Sequence, residues 1–318
     1  MSAIQNVLVQ EAHIKIFEGT ASFSSDLRGW IANQNYMVDS VTTSSKYVLR
    51  ASNEQKVVAS LANDCNRMSQ AAIESISGIQ VEDSLPKSGA WGLIRTYYSS
   101  FFAAHSILRI FGRSLTQLDA IHARRITEIL KLDSSLQINN VDAGFYDIQI
   151  SPDYRFLTFN KLKDSHGDTW RLFLSLIDDL MDRVPQTSAL STDKREVIAI
   201  LDSLKKGITN SNSARGNWLS TIRNSVNYRH THGVWFPHTK NSPAARHIRD
   251  FNQHILLSPS SLQITNTKDE VEEFFETSAL LVAIFRELLV CCYSRPNPQN
   301  KLFKYGSIKL LKSVGLSG

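Results

Sequence analysis

Between Lys268 and Tyr293 the chain carries Val271, Phe274, Phe275, Leu281, Val282, Phe285, Leu288 and Leu289. At about 100° per residue, these side chains project from most of the circumference of a helix, not from one stripe. A helix of that kind has no polar side to leave in water, so several other elements must surround it. The apolar runs Ala279–Phe285 and Leu288–Tyr293 are broken by Arg286 and Glu287. Each is too short to span a bilayer, so the segment is expected at the centre of a folded core, with no membrane contact.

The surrounding elements also read as helices. In Ala90–Phe111, Ile94, Phe101 and Leu108 recur every seventh residue beside Trp91, Tyr97 and Tyr98, and Gly112 closes the pattern. Glu54–Ile76, Asp164–Val184 and Asp193–Lys206 carry helical periodicity. So does Ser114–Leu132, with Leu118, Ile121, Ile126 and Ile129 placed inward. Ser213–His232 reads as a helix stopped by Gly233, with Pro237 beyond. Alternation in Ala12–Phe17 hints at a strand, and Ser40–Ser45 reads as a loop. Ser134–Phe159 is irregular, and 233–268, with Pro237, Pro243 and Pro259, reads as a long surface connection. The expected fold class is mostly α, a helical bundle with irregular insertions over 54–294. An N-terminal extension (1–53) and a C-terminal tail (295–318) flank it.

Composition narrows the class without naming a function. The 42% apolar and 20% charged content is that of a globular chain. Cys65, Cys291 and Cys292 form no disulfide framework, and no basic, then apolar, leader opens the chain; both suit a reducing, cytoplasmic setting. A net charge of +5 fits an anionic partner such as nucleic acid, but a solubilising surface accounts for it better.

The chemistry concentrates in the helix over 213–232. Trp218, Ile222 and Val226 form its apolar stripe, while Arg223, Asn227 and His230 fall at i, i+4 and i+7. Continued helix geometry sets those three within about 60° of one another. A guanidinium forks onto phosphate oxygens, and an imidazole moves protons near neutral pH. Together they suit phosphodiester cleavage without a metal, with His as general acid or base and Arg offsetting charge on phosphorus oxygens. The plainer reading is a polar helix face with a solvated His.

Arg223, followed by the polar Asn224 and, after five more residues, by His230, resembles the Arg-polar-x-His signature of the HEPN superfamily, which has four to six residues between Arg and His; here six lie between them. The run from Arg95 to His105, Arg-Thr-Tyr-Tyr-Ser-Ser-Phe-Phe-Ala-Ala-His, is similar to the aromatic, small-residue helix that opens many HEPN bundles. The likeness covers about Ala90–Tyr293. It implies a metal-independent endoribonuclease, a toxin or antiviral defence effector working as a homodimer on RNA, with an antitoxin or other defence-system protein as partner. By residue, it implies that Arg223 and His230 are catalytic and that Asn224 is their polar neighbour. Helix geometry adds Asn227 and Tyr228 as supporting groups. The alternative within the same likeness is a non-catalytic nucleotide-binding or protein-docking module.

Arg229, Trp235 and Arg246 are candidate RNA contacts, with Arg215, Lys240, Arg249 and Phe236 nearby. Trp235 and Phe236 serve equally well as pins for the turn after the helix. No metal or cofactor is expected: His230 and His232 diverge by about 160° on a helix. Asp178, Asp179 and Asp182 read as a solvated face, and His105 reads as a satisfied core histidine. There is no Gly-x-Ser-x-Gly elbow, phosphate-cradling glycine loop or dinucleotide fingerprint.

Overall fold

The apolar helix expected over 268–293 forms over Glu270–Ser294, and all the apolar positions named for it are buried. The structure is a computed structural model that describes residues 2–19, 25–77, 79, 89–132, 140–210, 213, 215–235, 244–265 and 269–316. In chain order the elements are α1 (Ala3–Glu11), α2 (Leu27–Ala32), β1 (Tyr36–Thr43), β2 (Lys46–Ala51), α3 (Glu54–Ser77), α4 (Gly89–Ile110), β3 (Arg113–Leu118) and α5 (Ala120–Leu130). Then follow β4 (Gly144–Ile150), β5 (Phe156–Lys161), α6 (His166–Arg183), α7 (Ser191–Ile208), α8 (Trp218–Arg229), α9 (Ala244–His254), α10 (Glu270–Ser294), α11 (Lys301–Tyr305) and α12 (Ser307–Ser313).

Helices α1, α4, α7, α8 and α9 all touch α10. Asp269 caps its N-terminus by accepting from Val271 N and Glu272 N, and Glu270, Glu272 and Glu273 complement the dipole of its first turn. Arg286 spends its charge on structure, donating to Ile255 O and Leu257 O just past the end of α9. The expectation that 90–111, 213–232 and 268–293 pack together is met: α4, α8 and α10 contact one another.

The expectation of a mostly helical bundle is corrected. Among the described residues the helices share the molecule with a five-stranded antiparallel sheet in the order β1-β2-β5-β4-β3, so the fold is mixed α and β. Its strands are short, and their inward residues alternate: Tyr47 and Leu49 on β2, Tyr146, Ile148 and Ile150 on β4, Leu157 and Phe159 on β5. Ser114–Leu132 is not one helix. Its first residues pair with β4, and Asp119 then opens α5 through a capping box with His122. Leu118 and Ile126 are both buried, as expected, but from two different elements; Ile121 is half exposed. Ser40–Ser45 is the end of β1 and its hairpin turn, not a free loop. Ala12–Phe17 is not a strand: Ile16 and Phe17 are both buried within a 3-10 turn, which destroys the apparent alternation. The presumed connection after residue 233 contains α9, and the presumed tail folds into α11 and α12 against α3.

One junction ties sheet to helices. Gly112 ends α4 with φ +72°, a conformation that favours glycine, and its carbonyl accepts from Ile150 N. His13 N donates to Ile110 O, and the His13 ring lies so close beneath that a Cβ at Gly112 would sit 2.3 Å from Nε2.

Candidate functional site

Helix α8 is shorter than the periodicity predicts. It starts at Trp218, after Gly216 turns the chain with φ +72°, and stops at Arg229. Trp218, Ile222 and Val226 are buried, as their spacing requires. The stop comes before Gly233 because His230 itself takes the left-handed conformation, φ 53°, and closes the helix through its N–H to Ser225 O. His232 is also left-handed, φ 67°. The shared face of Arg223, Asn227 and His230 therefore ends at Asn227, since His230 leaves the helical path. Its ring is exposed and packs near Trp235, at 5.8 Å between centroids.

Arg223 has the opposite surroundings. It is only 7% exposed, with Cζ 4.6 Å from the centre of the Tyr97 ring and 5.9 Å from that of Tyr98. Among the described residues no carboxylate or carbonyl accepts from it, and Nε is buried without a partner. Desolvating a lone cation costs several kcal/mol, while a cation–π contact returns about 2. The site therefore holds a guanidinium that its own surroundings do not neutralise.

Tyr97 is itself anchored. The Trp170 indole, which can only donate, gives its N–H to Tyr97 Oη at 3.4 Å. The Tyr97 proton then goes to His166 Nδ1 at 3.0 Å. His166, the first residue of α6, is half-buried with the Phe101 ring tilted against it, at 4.7 Å between centroids. Burial, and after it the Arg223 charge, hold this imidazole below its ordinary pKa, with Asp164 opposing. Accepting at Nδ1, the neutral ring carries its proton on Nε2.

The other expected residues fall around this group unevenly. Asn224 is exposed, Asn227 half-buried, Tyr228 75% exposed and Arg229 exposed. Trp235 acts as a pin: its indole donates to Val226 O at 2.8 Å, and its ring meets Trp91 edge to face. Arg246 is on α9, paired with Asp250 one turn on, at a polar cleft of about 300 Å³ that Glu272 and Glu276 also line. Phe236 and Lys240 lie outside the described residues. His105 is the satisfied core histidine expected of it. Arg109 donates to its Nδ1, so Nε2–H faces Thr169 Oγ1 at 3.2 Å, and burial pushes its pKa far down.

Sequence spacing joins Arg223 to His230. The structure instead sets Arg223 beside Tyr97, Tyr98 and His166, from three helices. Tyr97 and Tyr98 stand out in the sequence as packing residues. His166 carries no signal, because nothing local links it to a partner 57 positions away. Among the described residues, no helix is long and apolar enough to cross a membrane, and no three His, Cys, Asp or Glu side chains are grouped to hold a metal. Comparison with protein-family models, with curated proteins and with solved structures yields no match.

Proposed function

We propose that the chain is a metal-independent endoribonuclease of HEPN type, in which Arg223 stabilises charge on the scissile phosphate and His230 moves a proton. The observation that carries this reading is the unneutralised Arg223 guanidinium, held on the tyrosine pair of the very helix that shares the family likeness. In the reaction the RNA 2′-hydroxyl attacks the adjacent phosphorus and the 5′-oxygen leaves, giving a 2′,3′-cyclic phosphate and a 5′-hydroxyl end. His230 takes the 2′-hydroxyl proton or supplies the leaving oxygen with one, and its exposed position lets it reach substrate. Arg223 lies within α8, and His230 caps its end off the helical path. A two-fold dimer joining two copies of this face gives one phosphate access to an Arg and a His from different protomers. Toxin or antiviral activity, restrained by a partner protein, is the setting this reading implies.

The test is incubation of the purified protein with mixed RNA, with and without EDTA, followed by analysis of the ends. Cleavage that survives EDTA, yields cyclic phosphate, spares 2′-deoxy scissile positions and drops about 10²–10⁴-fold in His230→Ala is the expected result. Arg223→Ala should lose as much, and Lys should restore little because it lacks the planar fork. Full activity in His230→Ala, or strict dependence on a divalent ion, removes the mechanism. The left-handed, solvent-facing place of His230 favours a second reading, a non-catalytic nucleotide-binding or docking module, which predicts RNA or nucleotide binding with no cleavage.

A further inference from the structure

We infer that Arg223 and His166 together form one anion site, for a phosphate group of single-stranded RNA, and that Tyr97 is the positioning residue that leaves His166 Nε2–H free for it. The inference deepens the proposed function and rests on it for the source of the phosphate. Its grounds are geometric. Arg223 is more than nine-tenths buried, and a guanidinium stacked on a ring keeps all its N–H donors. None of them is taken up among the described residues, which leaves room for an acceptor from outside the chain. His166 is held to the Oη of the same tyrosine that carries Arg223 on its face, so one side chain sets both donors.

Carboxylates near His166 are already engaged. Asp164 Oδ1 accepts from Gly167 N, Asp168 Oδ2 accepts from Lys163 N and Asp164 N, and Asp168 Oδ1 pairs with Arg171. Neither carboxylate accepts from Arg223 among the described residues, which leaves the Arg223 donors for an anion from outside. His166 also opens α6, an 18-residue helix whose N-terminal end adds to the pull on negative charge. Tyr98 and His166 each keep part of their surface in solvent, so the group is closed by the core on one side and approachable on the other. The exposed part of Tyr98 offers a ring face to the sugar or base next to the bound phosphate.

Calorimetric titration and thermal melting with two probes, inorganic phosphate and adenosine 3′-monophosphate, test the site on the full chain. Wild type should bind both and melt higher with them, and the nucleotide should bind more tightly. Arg223→Gln should melt higher than wild type in phosphate-free buffer, because an unneutralised buried charge has been removed, and should no longer respond to either probe. His166→Gln should bind about 10-fold more weakly, and Tyr97→Phe a few-fold more weakly, as expected for lost hydrogen bonds to an ion. Arg124→Ala, an exposed cation on α5, should match wild type. Failure of wild type to bind either probe overturns the site, as does a lower melting temperature for Arg223→Gln with phosphate binding intact. Unchanged affinity in His166→Gln removes His166 from it. If the probes bind as described and RNA stays uncut, the ribonuclease reading fails and the site stands. If RNA is cut while phosphate affinity ignores both substitutions, the reverse holds.

Discussion

His13 and Gly112 show how a single side chain sets acid tolerance. The imidazole is half-buried beneath the Gly112 turn and edge-on to Tyr154, and desolvation there, reinforced by the Arg183 charge, lowers its pKa to about 4. The unfolded chain takes up this proton near pH 6.5, and the folded chain resists until about 4. Between those values the unfolded state binds more protons, so stability falls as pH falls and the loss is complete below about 4. The contribution is about 3 kcal/mol. Urea midpoints measured from pH 7 to 4 should therefore decline less steeply in His13→Gln than in wild type; parallel curves would show that His13 does not set the slope. The same scale explains what was legible at the site. Arg223 stands out in sequence because it heads a polar face beside the apolar stripe of Trp218, Ile222 and Val226, and the stripe itself is correct. Its place beside Tyr97, Tyr98 and His166 was not legible, because those residues come from two other helices.

At the scale of elements, helices with strong periodicity were readable to within a few residues, and α3, α4, α7 and α10 follow their patterns. The end of α8 was not, because the stop falls on a histidine. A left-handed residue is commonly glycine or asparagine, and L side chains pay strain there. His230→Gly should accordingly keep the helix end and raise stability by up to about 1 kcal/mol while abolishing the proposed cleavage. A stability loss would mean that the His230 ring, through Trp235, outweighs the backbone strain. The strands escaped for a different reason: β2 pairs with β5 across more than a hundred residues, so no local window contains the partnership. Asp147 illustrates the cost. It sits buried on β4 as a bidentate partner for Arg113 on β3, with both bonds at 2.9 Å. In sequence it looks like an ordinary polar residue. Asp147→Asn leaves a largely buried guanidinium half-satisfied and should cost about 3 kcal/mol, read from chemical denaturation. A change below about 1 kcal/mol would show that water replaces the pair.

Across the whole molecule one hydrophobic core runs from α1 to α12 and takes in the sheet, so the stretch before residue 54 and the stretch after 294 pack against the same interior as the helices between them. Composition foretold a sizeable core, but the helix-rich reading had no place for a sheet because each strand is only 6–8 residues long. The dimer belongs to this scale. Sedimentation velocity at concentrations that support RNA cleavage should show a two-fold species, and a monomer that still cuts RNA would remove the composite site.

The central position of α10 also governs when the molecule can exist during synthesis. At least 269 residues are made before the first turn of the helix that fills the middle of the fold. Until then α1, α4, α7, α8 and α9 lack their common partner, and the direct contacts of α4 with α6 and α8 are all that hold Tyr97, His166 and Arg223 together. A chain truncated before α10 should therefore lack the interior on which the proposed phosphate site leans, and should not bind phosphate.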